Sequence, residues 1–167
     1  MITKRDIAVK WTAYGIASLF LILLHTFLLH DVHIWGVVPF LPPLLVGCIA
    51  ATEQYKSAAI YAICLGFLCD ITLSAPFFGI CTIALTAGAL VSYLLAAQVF
   101  PDTFFGRLLS SASALAVFSL FCCVTLLIKG QSLWPLLYMA FRELSVSLLL
   151  FPFVYPVLIF VHNRTTL

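Results

Sequence analysis

Apolar residues fall into long runs separated by short polar or proline-bearing breaks, and the runs predict six helical segments near residues 11–30, 38–52, 57–73, 77–98, 106–128 and 134–161. The opening MITKRDIAVKW is basic like the leading region of a signal peptide. The apolar stretch behind it continues to about Leu29 without a clear small-residue cleavage site, so it reads as a retained first helix. The second run begins among Pro39, Pro42 and Pro43 and stops at Glu53, while the third extends only from about Lys56 to Asp70. Both are short for a full crossing, which predicts a hairpin of segments 2 and 3 packed inside the bundle. A five-span arrangement with segment 2 re-entrant is the alternative.

Composition fixes the class. Of the 167 residues 64% are hydrophobic and 8% charged, with a mean hydropathy of +1.20, which no soluble domain of this length matches. A span needs about 20 apolar residues, so five or six spans fill the chain. The expected fold is therefore a single transmembrane domain over residues 1–167, an all-α integral membrane bundle. Lys4, Arg5, Lys10, Lys56, Arg107 and Arg164 all fall on one face of a six-span layout, leaving Lys129 and Arg142 toward the other. By the positive-inside rule both termini are cytoplasmic. Trp11, Trp35 and Trp134 sit at segment ends, where an amphipathic ring prefers the headgroup level.

Small residues mark the packing faces. Ala84, Gly88, Ser92 and Ala96 recur every fourth residue along segment 4, Ala13 and Ala17 do so in segment 1, and Ala112 and Ala116 in segment 5. Such ladders let backbones approach closely, either within the bundle or against a partner helix. The six cysteines, Cys48, Cys64, Cys69, Cys81, Cys122 and Cys123, lie in or beside apolar runs and form no CxxC pair, so they read as small core hydrophobes. His30, Asp31 and His33 in HDVH lack the further donors of a zinc site and read as an interfacial turn. His25, inside segment 1, reads as a helix-to-helix hydrogen-bonding group.

The sequence carries no GxxxxGK[ST], HExxH or GxSxG motif, which argues against an enzyme, a metal centre or a bound cofactor. A net charge of +2 without a basic patch argues against nucleic acid. What stands out is Asp70, at the end of an apolar run in LGFLCDITLSAPFFGICT, where a carboxylate must be paired, hydrated or neutralised. It ends segment 3 near the external interface, and the helix dipole there is also negative, so a cationic partner is expected. Arg142 is favoured, because it lies about 12 Å inside segment 6 and a guanidinium grips a carboxylate with two N–H groups. The alternative is that Asp70 faces water and Arg142 snorkels. Ser74 and Pro76 suit the start of segment 4.

The run AAIYAICLGFLCDITLSAPFFGICTIALTAGALVSYLLA resembles the core of the MreD family of bacterial rod-shape-determining membrane proteins. The likeness rests on a glycine, an aspartate four residues later and a glycine opening the next helix, here Gly66, Asp70 and Gly79. A proline before the second helix, Pro42 or Pro43, and the run Phe151-Pro152-Phe153 support it, while the tail HNRTTL is less basic than expected. The resemblance implies a non-enzymatic inner-membrane component of the elongation machinery. Such a protein binds MreC and, through it, couples MreB filaments to the glycosyltransferase and transpeptidase that build lateral peptidoglycan. A second reading is the substrate-binding subunit of an energy-coupling-factor vitamin transporter, similar to MreD in its six-helix architecture, with Ala13 and Ala17 as a docking motif. Against it, the external loops HDVHIWG and ITLSAP offer few polar groups to enclose a vitamin.

Overall fold

The computed structural model describes residues 4–25, 27, 35–72, 79–98 and 103–165. The HDVH turn and the loop carrying Ser74 and Pro76 lie outside the described residues. Among those residues the chain forms seven α-helices and no strand: α1 (Lys4–Leu24), α2 (Pro42–Thr52), α3 (Tyr55–Thr72), α4 (Ile80–Gln98), α5 (Phe104–Ile128), α6 (Leu133–Leu149) and α7 (Phe151–Thr165). Helices α3, α4 and α5 are long and apolar enough to cross a membrane, and α6 with α7 makes a fourth candidate if the bent pair is one span. The chain is thus an all-helical membrane protein of several spans. The apolar part of α1, Val9–Leu23, and α2 are shorter.

Helix α2 occupies the centre. Pro42 and Pro43 open it, where a missing N–H costs nothing, and Glu53 ends it in an extended conformation. At about 1.5 Å per residue its 11 residues cover about half of a ~30 Å hydrocarbon layer. Nine of them are buried. Helices α3, α4, α5 and α7 surround α2, whereas α1 rests mainly on α7 and α6 mainly on α5. A short helix is tolerated at membrane depth when protein rather than lipid covers it.

Two expectations need correction. Segment 3 is not short, since α3 runs 18 residues and turns Ile60, Ile63, Phe67 and Ile71 outward. Only α2 of the expected hairpin is enclosed. Segment 6 is not one helix, because α6 and α7 meet at 50° around Leu150. The cause lies in Pro152, which cannot donate to the carbonyl of Leu148 and whose ring crowds the preceding turn.

Contacts at the centre are backbone to backbone. A Cβ placed on Gly47 would stand 2.5 Å from Cα of Ser111 and 3.0 Å from the carbonyl oxygen of Ser110. One on Gly88 would stand 3.3 Å from Cα of Ala114. The serine hydroxyls lock the same crossing. Ser92 Oγ donates to the Ser110 carbonyl at 2.7 Å, and the Ser110 hydroxyl lies 3.1 Å from the Gly47 carbonyl and 3.0 Å from that of Ser92. Without a hydrophobic drive between helices in lipid, close packing and such bonds hold the crossing. Gly47→Ala should therefore cost about 1–3 kcal/mol of stability. Gly15→Ala, where an added Cβ meets nothing within 4 Å, should cost nothing. Thermal unfolding of the two purified variants in detergent compares them directly.

Candidate functional site

The residues behind the family resemblance converge on the junction between α3 and α4. Gly79 precedes α4 with φ +92°, a conformation that suits glycine, and its carbonyl accepts the first helical bond, from Ile83, at 3.0 Å. A glycine there has no side chain to cap the N–H groups of the first turn. Asp70 does so from the preceding helix. Its Oδ1 accepts from the Cys81 N–H at 3.0 Å, and its Oδ2 accepts from the Thr82 N–H at 3.0 Å and the Thr82 hydroxyl at 2.6 Å. The approach depends on Gly66, where a Cβ would come within 2.5 Å of Thr82 Cα and 3.2 Å of the Cys81 carbonyl oxygen.

The cation expected beside Asp70 is thus replaced by the positive end of α4, with three donors and a favourable dipole already in place. Arg142 is held elsewhere. Its guanidinium lies over the Tyr138 ring at 5.3 Å and near Gly36, where an added Cβ would meet Nη2 at 3.2 Å. Among the described residues no ion pair joins it to Asp70. Of the ladder on α4, Ala84, Gly88 and Ser92 are buried and Ala96 is half-buried. Gly88 and Ser92 face α5 within the same chain. Ala13 and Ala17 are half-buried on α1. His25 is buried with its ring edge against Phe40, 5.7 Å between centroids. The six cysteines are free thiols, of which Cys48, Cys69 and Cys81 are buried and Cys64 is exposed.

A second polar cluster escaped the sequence reading. Glu53, at the end of α2, accepts at Oε1 from Lys10 Nζ at 2.6 Å and from the Tyr14 hydroxyl at 3.0 Å, and the same oxygen stands 3.0 Å from His162 Nδ1. Tyr14 is fully buried, and its oxygen lies 3.1 Å from the same His162 nitrogen. One carboxylate therefore ties together α1, α2 and α7. The signal was present in α1, where Lys10, Tyr14 and Ser18 recur at four-residue spacing and place three polar groups on one face of an apolar helix. Their carboxylate partner lies 39 residues beyond Tyr14, a separation that periodicity does not reveal.

Comparison of the chain with protein-family models, curated proteins and solved structures finds no match. The class defined by fold and site is accordingly a multi-span helical membrane protein with a hydrogen-bonded carboxylate at each of two helix junctions, the buried Asp70 and the half-buried Glu53.

Asp70→Asn keeps one acceptor and loses the charge facing the α4 dipole, so it should lower stability by about 1–2 kcal/mol. The effect of adding Arg142→Gln should be additive, because the two residues share no partner. A double-mutant cycle on thermal unfolding in detergent reads both values, and a coupling energy above about 0.5 kcal/mol would contradict this assignment.

Proposed function

We propose that the chain is a non-enzymatic inner-membrane scaffold of the MreD type, which binds MreC and couples MreB filaments to lateral peptidoglycan synthesis in rod-shaped bacteria. The observation that carries this reading is the shared junction of Gly66, Asp70 and Gly79. The three residues that bear the resemblance act on one another's geometry. The Asp70 carboxylate spends both oxygens on the first turn of α4. A motif used in this way shapes a surface for partners rather than a site for chemistry. The wide apolar exposure of α6, at Leu133, Trp134, Leu137, Tyr138, Met139 and Phe141, leaves a broad face open to lipid or to other helices.

The topology belonging to this proposal has six passes, with α2 as the short one, and both termini in the cytoplasm of a bacterial inner membrane. Lys56 and Arg107 lie in the first turn of α3 and α5, and Lys10 in the second turn of α1, which supports one basic face under the positive-inside rule.

Affinity purification from gently solubilised membranes is the discriminating experiment. MreC is expected to co-purify, and depletion should turn rods into round cells with vitamin uptake intact. Recovery of an energy-coupling ATPase with normal cell shape would instead identify a vitamin-transporter subunit. Reporter fusions should place both termini in the cytoplasm, and an external C-terminus would mean that α2 does not cross.

A further inference from the structure

We propose that the cleft between α1 and α3 binds one acyl chain of an anionic phospholipid from the leaflet on the Lys56 side, with Lys56 meeting the phosphate. The cleft exists because α1 rests mainly on α7 and is tied to α3 by a bond between the hydroxyls of Ser18 and Tyr61. Its volume is about 270 Å³. Trp11, Gly15, Leu19 and Ile22 line it from α1, and Ile60, Cys64 and Leu68 from α3.

The polar groups on its floor satisfy one another. The Ser18 hydroxyl donates to the Tyr14 carbonyl at 2.7 Å, so the Tyr61 hydroxyl is the donor to Ser18. The two hydroxyls therefore offer an occupant no donor, and apart from the Trp11 indole and the Cys64 thiol the rest of the lining is hydrocarbon, which suits an acyl chain. The length of the cleft matches a single acyl chain. From Trp11 to Ile22 the α1 wall rises about 16 Å, and from Lys56 to Leu68 the α3 wall rises about 18 Å. Half of a ~30 Å hydrocarbon layer is about 15 Å, the reach of a chain from one leaflet.

Charge supplies the polarity of the site. Lys56, Ile60, Cys64 and Leu68 recur every fourth residue, so Lys56 stands one turn before the cleft on the same stripe of α3. It is exposed and makes no ion pair or hydrogen bond among the described residues. Trp11 lines the same end of the cleft, and an indole there marks the headgroup level. A cation beside an interfacial aromatic, at the mouth of an apolar slot one leaflet deep, matches an anionic headgroup above a buried chain.

The test uses the full-length protein, stripped of lipid in mild detergent and titrated with phosphatidylglycerol or with phosphatidylcholine of the same chains. Bound lipid is read by native mass spectrometry. One phosphatidylglycerol should bind about fivefold more tightly than phosphatidylcholine, the ratio expected for one lysine at a membrane surface. Lys56→Gln should abolish that preference. Gly15→Leu fills a position where a Cβ meets nothing within 4 Å, and it should weaken both lipids alike, as should Cys64→Phe on the opposite lip. An undiminished preference in Lys56→Gln overturns the proposal, as does unchanged binding in both cleft-filling variants. So does a cross-linker on Cys64 that captures a polypeptide segment in place of lipid.

Discussion

The crossing of α2, α4 and α5 is the contact on which the rest of the bundle depends. A helix half as long as the layer it sits in cannot present its ends to water on both sides, so protein must enclose it. Enclosure in lipid requires that backbones come close enough for dispersion and polar bonds to act. Gly47 and Gly88 remove the side chains that would prevent this. Ser92 and Ser110 then exchange hydrogen bonds across the gap, and Ser110 also reaches the α2 backbone. Leu44, Leu45 and Ile49 are fully buried as a result.

The two carboxylates stabilise different kinds of junction. Asp70 is satisfied by the first turn of α4, through two main-chain N–H groups and the Thr82 hydroxyl, so its bonds fix where one helix begins. Glu53 is satisfied by side chains from α1 and α7, so its bonds fix where the outer helices close around α2. In both cases an acidic group stands where low dielectric strengthens a bond that is made and penalises one that is missing. Neither junction leaves its carboxylate without donors.

Much of the fold was legible in the residues, because apolar run length and proline position are local properties. The start of α2 lay among Pro39, Pro42 and Pro43, within four residues of the predicted boundary, its end followed from Glu53, and the close faces of α4 from the spacing of Ala84, Gly88 and Ser92. The bend at Leu150 was missed because the residues on both sides of it, LLLFPFVYPVLIF, are apolar, so hydropathy carried no break there. The partner of Asp70 was missed for a different reason. Sequence reading seeks a charged side chain to match a charge, whereas the donors here are mostly main-chain N–H groups that every residue carries.

The separation along the chain between bonded residues also sets an order of assembly as the protein enters the membrane. The bonds from Asp70 to Cys81 and Thr82 span 11 and 12 residues, so the α3–α4 hairpin has its lock as soon as the first turn of α4 has been made. The serine bonds to α5 come next, at 18 residues back to Ser92 and 63 back to Gly47. The contact between Glu53 and His162 spans 109 residues and waits for the last helix. Until α7 arrives, Lys10 and Tyr14 of α1 hold the carboxylate at the end of α2. Closing contacts that distant are formed late, so the C-terminal helix acts as the clasp that completes a bundle whose centre is already built.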